Sequence, residues 1–233
     1  MIKKACIFTT SVIVLLSNIA LAADYKADLV LPIIKEISLE FDHQLTGYHG
    51  KKVKSIIDHA DIPITYQILP HAHAFKAFSD GKFACITPDS KVYYEDSTNY
   101  LNSKPISTTD WVIVQRKGTQ PIISKDQLKG LKVGSYYSPE EIVNILPQSG
   151  ITYDVKANLN INLLKVALKR IDVAVLPITG LEDLIKNNNQ LSNLTITLSP
   201  PIATVAEAIM CHDDEYGQKL IKQFNKVIKT QSE

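Results

Sequence analysis

The chain has 233 residues, of which 45% are hydrophobic and 21% are charged, so its composition excludes an intrinsically disordered protein and permits a sizeable core. Its 25 Lys and Arg residues nearly balance its 24 Asp and Glu residues. This balance gives no support to a nucleic-acid partner held through phosphate neutralisation, or to a polybasic membrane-binding surface. The length accommodates one large domain or two small ones.

The first 22 residues have the three parts of a secretory signal peptide. Lys3 and Lys4 form the basic start, an apolar run too short to span a bilayer comfortably follows, and Ala20-Leu21-Ala22 is a small-x-small cleavage site. An uncleaved signal anchor is the alternative, but charged residues follow the cleavage site at once. The sequence therefore predicts a cleaved signal peptide and a periplasmic protein.

Two cysteines follow the predicted cleavage site, Cys85 in the run FACIT and Cys211 in the run AEAIMCH. Disulfides persist in the compartments that exported proteins reach, so a bridge between them is one interpretation. Two buried thiols in apolar strands are the other. The sequence leaves both open, because it does not give the Cα separation that a bridge requires.

Predicted strands and helices alternate along the rest of the chain. The first block predicts strands over residues 29–34, 64–69 and 83–87, with helices over 50–60 and 72–79 between them. The second block predicts strands over 111–115, 131–136, 151–155 and 173–176, with helices from 124, from 138, over 161–170 and over 181–186. Strands over 194–198 and 203–211 and an amphipathic helix that carries Leu220, Phe224 and Val227 close the chain.

Two helix starts have specific capping signals. Ser124 with Gln127 three residues later has the capping-box pattern, and Ser138-Pro139-Glu140-Glu141 places Ser at the N-cap, Pro at N1 and Glu at N3. The helix over 161–170 is predicted to bury one face. That face consists of Ile161, Leu164, Leu168 and Ile171.

This alternation predicts an α/β fold of two lobes, each a mainly parallel sheet flanked by helices. Short connections near residues 108–110 and 200–201 indicate that the chain crosses between the lobes twice. We therefore expect lobe one to hold residues 23–109 and 200–233, and lobe two to hold residues 110–199. Open α/β sheets bind ligands beyond the carboxyl ends of their strands, so a ligand is expected in the cleft between the lobes.

Four segments in order carry a family resemblance that covers essentially the whole mature chain. They read FDHQLTGYHGKKVKSI, ITYQILPHAHAFKAFSDGKFACITP, ISKDQLKGLKVGSYYSPEE and LLKVALKRIDVAVLP. Together they resemble the bacterial family 3 extracellular solute-binding proteins, two-lobed periplasmic proteins typified by amino-acid binders. The resemblance implies a type II periplasmic-binding-protein fold. It also implies capture of a small molecule for an inner-membrane ABC importer by a monomer.

The residues that hold an amino acid in that family are not matched here. Where its members carry an arginine after the third strand, this chain reads TPDSKVYYED, with Lys91 as the only cation. At the family's earlier Pro-aromatic-Ala-Arg helix start, His71 and His73 replace the aromatic residue and the arginine, and Ala84 replaces the acidic residue usual after the glycine turn. The loop LPITG, with Thr179, offers no carboxylate. An α-amino acid held by a charge pair at both ends is therefore not supported.

Candidate ligand-binding residues come from both lobes. They are His71, His73, Thr87, Asp89, Ser90 and Lys91 in lobe one, Ser135, Tyr136, Tyr137, Ser138 and Thr179 in lobe two, and Trp111 at the crossover. Backbone N–H groups at the helix start near Ser138 suit an anionic oxygen, and Trp111 is placed to stack on a ring. The alternatives are a helix cap at Ser138, solvated histidines and lobe packing by Trp111. We expect a small polar ligand, aromatic or anionic, and neither a metal nor another cofactor.

Three functions remain open at this stage. The first is a solute-binding protein that delivers its ligand to an inner-membrane permease, and the second uses closure of the lobes to signal to a membrane-bound sensor, with or without a ligand. The third is a dehydratase acting on a prephenate-like acid, which needs an acid and cations in the cleft. No nucleophile, metalloprotease or phosphate-loop motif occurs in the sequence, so we expect no enzyme.

Overall fold

The computed structural model describes residues 27–33, 44–137, 142–146 and 149–230. The strands in these ranges are β1 (Ala27–Ile33), β2 (Ile64–Pro70), β3 (Cys85–Asp89), β4 (Tyr100–Asn102), β5 (Ser107–Arg116), β6 (Lys132–Ser135), β7 (Thr152–Val155), β8 (Val173–Pro177), β9 (Leu194–Thr197) and β10 (Ala203–His212). The α-helices are α1 (Tyr48–His59), α2 (His71–Ser79), α3 (Leu159–Ala167), α4 (Leu181–Lys186) and α5 (Glu215–Thr230). The predicted signal peptide and the helix start at Ser138 lie outside the described residues.

The strands form one sheet with the order β2-β1-β3-β10-β5-β8-β6-β7. β1 pairs in parallel with β2 and β3, and β6 pairs in parallel with β7 and β8. Between these two groups, β10 and β5 run antiparallel to each other and to the strands beside them. We call β1–β3 with their helices the first lobe and β6–β8 with theirs the second. The arrangement confirms the predicted two-lobed α/β fold.

Helices cover both faces of the sheet in the first lobe. Successive side chains of a strand point to opposite faces, so each face of β1 presents apolar residues to a helix. Leu29 and Leu31 of β1 pack with α1 and α5 on one face, where the buried helical side chains include Phe224. Val30, the residue between them, packs on the other face with Phe78 of α2. A parallel sheet covered on both faces reads as a continuous apolar run, which is how β1 appears in the sequence.

The second lobe repeats this layering, with one correction to the predicted packing. α3 begins earlier than predicted, because the Asn158 side chain accepts a hydrogen bond from the backbone N–H of Ile161 and caps the helix. The buried face is therefore Leu159, Leu163 and Val166. Ile161 and Leu168, predicted on the buried face, are 44% and 59% exposed.

The bridge between Cys85 and Cys211 is formed. Cys85 on β3 lies directly opposite Cys211 on the antiparallel strand β10, with a Cα separation of 4.1 Å. Of the two interpretations that the sequence left open, the disulfide and the two buried thiols, the structure supports the disulfide. The capping box of Ser124 and Gln127 is also present, at the start of a 3-10 turn over Lys125–Leu128. No helix in the described ranges is long and apolar enough to cross a membrane.

Candidate functional site

Aromatic side chains from the two lobes meet where β2 and β6 end. His71, the first residue of α2, places its ring 4.4 Å from the Tyr137 ring and 5.9 Å from the Tyr136 ring, edge-on in both cases. Both tyrosines directly follow β6 in the second lobe. Ring pairs at these centroid distances are in contact, so the two lobes touch at this point.

The contacts continue into a larger group that we call the cleft cluster. Its members are His71, Phe75, Tyr93, Tyr94, Trp111, Tyr136 and Tyr137. The Tyr137 ring lies 5.6 Å from Trp111, and the Trp111 ring lies 6.0 Å from Tyr93. Tyr94 stacks on Phe75 of α2 with the ring centroids 5.0 Å apart. The cluster therefore runs continuously from the first lobe, past the joining strand β5, into the second.

The segment after β3 makes a second connection between the lobes. Tyr93 ends the 3-10 turn that follows β3, yet its side chain is buried in the second lobe's core with Leu128 and Val133. Asn144 of the second lobe donates a 2.7 Å hydrogen bond from Nδ2 to the carbonyl oxygen of Val92. The segment is thus held against the second lobe by both apolar and polar contacts.

Glu207 lies at this junction, near the middle of β10. It is 6% exposed, and its Oε1 accepts a 2.5 Å hydrogen bond from the hydroxyl of Tyr93. Burial raises the pKa of Glu207 to about 7, although hydrogen bonds from Tyr93 and Thr109 favour the charged form and act against the rise. The Trp111 indole N–H lies 3.4 Å from the same Tyr93 hydroxyl, so it is linked to this carboxyl through the tyrosine.

Asp89, the last residue of β3, is a second buried carboxyl. It is 4% exposed and accepts hydrogen bonds from the Tyr94 hydroxyl at 2.9 Å and from the backbone N–H of Ser90 at 2.6 Å. Burial, together with the nearby charge of Glu207, raises the pKa of Asp89 to about 8. Each carboxyl is therefore held by a tyrosine of the cleft cluster.

Within the described part of the chain, no Lys, Arg or His forms an ion pair with Asp89 or Glu207. The same residues contain no group of three or more His, Cys, Asp and Glu side chains arranged to hold a metal ion. The site consequently combines aromatic walls with two buried acids and no basic partner. Such a site offers hydrogen-bond acceptors and, when its acids are ionised, a negative potential, and it does not offer an oxyanion-binding set of donors.

His71 is neutral over the physiological range. Burial lowers its pKa from 6.5 to about 4, so the imidazole packs against the tyrosine rings without a charge. This position was predicted for the ligand site because it begins the helix after β2. Its contacts place it in the cleft cluster, where it forms part of the first lobe's contact surface.

Ser135 and Thr87 are fully buried and bond to the backbone. The Ser135 hydroxyl donates to the carbonyl oxygen of Tyr137 at 2.7 Å, which shapes the turn that presents Tyr136 and Tyr137. The Thr87 hydroxyl donates to the carbonyl oxygen of Ala208 on β10 at 3.1 Å. Both residues position elements around the cluster, and a direct contact with a ligand stays a prediction for each.

Ser90 and Lys91 face Asn102 of β4. Asn102 donates from Nδ2 to the Ser90 hydroxyl at 3.0 Å and accepts from the backbone N–H of Lys91 at 3.1 Å. Ser90 and Asn102 line a depression of about 370 Å³ that also includes Asn144 and Ala206. This pair fixes the course of the chain between β3 and the tyrosines that follow it.

The remaining predicted residues are not brought into the cleft cluster by the described structure. His73 is exposed and lines a separate depression of about 740 Å³ on the first lobe, with Gln67 and Lys76. The reason is helical geometry, because residues two apart on a helix face different directions and His71 takes the cleft side. Thr179 lies partly exposed in the turn after β8, and Ser138 lies outside the described residues.

Glu207 and Phe75 are not among the candidate residues that the sequence predicts, and Tyr93 and Tyr94 could be read from it either as facing the cleft or as packing. Glu207 had a usable signal, since it is a lone acid in the otherwise apolar run ATVAEAIMC. A charged residue at a buried strand position needs a specific partner. That partner, Tyr93, is 114 residues away in the chain, and pairing at this separation is not readable from one sequence.

Solved structures with the same fold bind amino acids or act as sensors. A histidine kinase sensor domain with similarity to periplasmic binding proteins aligns with a TM-score of 0.72 at 17% identity, over 90% of this chain and 91% of its own. A point mutant of arginine-bound ArgBP from T. maritima aligns with a TM-score of 0.68 at 16% identity, over 89% of this chain and 96% of its own. The glutamate-bound GluR0 ligand-binding core from Nostoc punctiforme aligns with a TM-score of 0.66 at 16% identity, over 88% and 94%.

These likenesses define the fold as a two-lobed, periplasmic-binding-protein-like one. The chain matches no protein-family profile, and no curated protein matches it. The class that fold and site define together is a two-lobed, periplasmic-binding-protein-like protein whose lobes meet at a cluster of aromatic side chains.

Proposed function

We propose that this protein is an exported solute-binding protein of the family 3 type, which captures a small polar molecule between its lobes and delivers it to an inner-membrane ABC importer. The observation that carries the proposal is the 4.4 Å contact between His71 and Tyr137, which joins the two lobes across the cleft. A ligand enclosed there would touch both lobes and so stabilise the closed arrangement. Both this role and the predicted signal peptide are typical of a periplasmic protein.

The strands β5 and β10 supply the hinge in this proposal. They are the two antiparallel strands between the parallel groups, and they pair with each other from Trp111 opposite Ala203 to Ser107 opposite Glu207. We place the lobe boundaries within them, with residues 23–109 and 200–233 in one lobe and 110–199 in the other. Bending of two strands is a common way for a two-lobed binding protein to close.

Sensing is the second candidate function. The likeness to a histidine kinase sensor domain, at a TM-score of 0.72, favours it. Here the closed form, with or without a small molecule, would be read by a membrane-bound signalling protein. The dehydratase alternative is disfavoured because a prephenate-like acid needs cations in the cleft, and the cleft holds two buried acids.

The test is a thermal-shift screen of the purified exported protein against amino acids, polyamines, organic acids, nucleosides and sugars. A ligand at about 100 times its dissociation constant stabilises the native state by roughly 2.7 kcal/mol, which raises the melting temperature by a few degrees at this size. Each hit is then examined by small-angle scattering, which should show a more compact protein. A screen without hits, and scattering that never changes, would exclude capture by closure.

Variants localise the site. Tyr137→Ala removes the central inter-lobe ring and should weaken binding of any hit by about tenfold or more. The matched control is Tyr66→Ala on the edge strand β2, where the ring is 39% exposed and outside the cluster. Cross-linking of the ligand-bound protein to membrane proteins separates transport from sensing. Recovery of a permease supports transport, and recovery of a signalling protein supports sensing.

A further inference from the structure

We propose that the ligand of this cleft is an organic cation without a carboxylate, an amine whose charged nitrogen is held by Glu207 and Asp89 and by the rings of the cleft cluster. This inference rests on the proposed function and names the chemical class of the molecule that the cleft captures.

The charge of the site favours a cationic ligand. Asp89 and Glu207 are 4% and 6% exposed, and the hydrogen bonds that they accept come from hydroxyl groups and a backbone N–H, all of them neutral. Among the described residues no basic side chain pairs with either. Burying a carboxylate without a cation is strongly unfavourable. Without a cation the two carboxyls take up protons instead, which is why burial raises their pKa values. A bound amine would supply the missing positive charge and keep them ionised.

The two arginines of the chain and the nearby lysine do not meet this need. Arg116 donates to the carbonyl oxygens of Val166 and Ile171 in the second lobe, at 3.0 and 3.2 Å. Arg170 is exposed, and Lys91 has no ion pair to Asp89 or Glu207. A ligand carboxylate would thus meet two acids and no arginine fork, which argues against amino acids and other acids.

Ser107 provides an additional polar group beside Glu207. The register of β5 and β10 places Ser107 directly opposite Glu207, so their side chains share one face of the strand pair. The Ser107 hydroxyl oxygen is buried and has no hydrogen-bond partner within the described ranges. A primary ammonium carries three N–H donors, so Glu207 and Ser107 can each accept one.

The rings of the cleft cluster suit the rest of such a ligand. Trp111, Tyr93 and Tyr137 lie next to one another, with neighbouring centroids 6.0 and 5.6 Å apart. Trp and Tyr faces attract ammonium groups and also pack against apolar chains or rings. Aromatic walls around buried acids are a suitable arrangement for an amine, whereas a sugar or an organic acid brings no positive charge to the acids.

The experiment compares amines with isosteres that lack the charge or add a carboxylate. Isothermal titration with the exported protein uses phenethylamine, phenethyl alcohol and phenylalanine as one set, and choline, dimethylbutanol and betaine as another. Tyramine, putrescine and agmatine widen the amine panel. We expect at least one amine to bind, and to bind about tenfold or more tightly than its alcohol and its zwitterion.

Two isosteric variants test whether the Glu207 carboxyl is responsible for the selectivity for amines. Glu207→Gln keeps the shape and can still accept from Tyr93, but it removes the charge, so amine affinity should fall by about tenfold or more. Glu182→Gln on α4 is the matched control, because Glu182 is an exposed carboxyl at the start of a helix in the second lobe. Near-ultraviolet circular dichroism of both variants reports whether the aromatic cluster stays packed.

The outcomes separate this inference from the function on which it rests. Tighter binding of an amine, lost in Glu207→Gln and kept in Glu182→Gln, supports both. If acids, sugars or zwitterions bind and close the lobes while no amine does, or if alcohols bind as well as amines, the ligand class is wrong and solute binding stands. If Glu207→Gln binds the amine normally, the assignment to this carboxyl is overturned. If no compound binds or closes the lobes, both proposals fail.

Discussion

The hydroxyl of Tyr93 donates a 2.5 Å hydrogen bond to Oε1 of Glu207, where β10 runs between the lobes. Tyr93 follows a strand of the first lobe but packs in the core of the second, and Glu207 belongs to one of the two strands that join them. Any motion that withdraws Tyr93 from the second lobe therefore changes the surroundings of the buried carboxyl. The bond couples the arrangement of the lobes to the protonation of the site.

Tyr93→Phe should destabilise the protein by about 1–3 kcal/mol at pH 8, because it leaves the buried Glu207 carboxylate with one donor fewer. The loss should be smaller at pH 5, where the carboxyl is protonated. Urea unfolding at the two pH values measures it. In a double-mutant cycle, Glu207→Gln should remove the pH dependence of the Tyr93→Phe effect. Strictly additive losses at pH 8 would show that the two side chains do not interact.

The stability of the ligand-free protein should fall as pH rises, because the pKa values of both buried acids are raised on folding. Glu207 rises from 4.5 to about 7 and Asp89 from 3.8 to about 8, so the folded state binds protons more tightly than the unfolded state from about pH 4 to pH 8. Thermal melts across this range measure the slope. Glu207→Gln should make the decline shallower between about pH 4.5 and 7, and the decline that remains belongs to Asp89, whose pKa should itself be lower without the Glu207 charge.

Much of the fold could be predicted because its signals are local. The capping box of Ser124 and Gln127 was predicted from two residues three apart, and it is present. The predicted buried face of α3 is wrong at Ile161 and Leu168, which are exposed, because the cap at Asn158 begins the helix two residues earlier. Leu164 and Ile171, the other two predicted residues, do pack in the core. A shift of two residues rotates a helix by more than half a turn, which moves a different row of side chains onto the sheet.

The site could be predicted where its residues stand at the end of a strand or, like Trp111, at the crossover between the lobes. His71, Tyr136 and Tyr137 were named for that reason, and the structure joins them in one cluster. The partnership of Glu207 with Tyr93 depends on how β10 passes the end of β3, which is a property of the folded topology. Neither the charge of the site nor the lack of a basic partner for it among the described residues follows from periodicity or spacing.

Removing the disulfide should lower stability without changing the fold. Cys85 and Cys211 are 126 residues apart, and closing a loop of this length is expected to contribute about 2–5 kcal/mol. The double variant Cys85→Ala/Cys211→Ala should therefore unfold at lower urea than the wild type, and the reductant should affect only the wild type. Thiol titration of the denatured, unreduced protein provides the control. Two free thiols in the wild type would contradict the bridge.

His71 should make closure of the lobes sensitive to acid. Burial lowers its pKa from 6.5 to about 4, so the unfolded or open state takes up a proton between those pH values while the closed state resists it. His71 therefore stabilises the closed form above about pH 6.5 and loses that effect as pH falls toward 4. His71→Phe keeps a ring against Tyr137 and cannot be protonated, so its scattering radius should stay constant from pH 7 to 4.5 while the wild type expands. The exposed His59 serves as the control through His59→Phe, which should expand like the wild type. Equal expansion of His71→Phe would show that other groups open the cleft in acid.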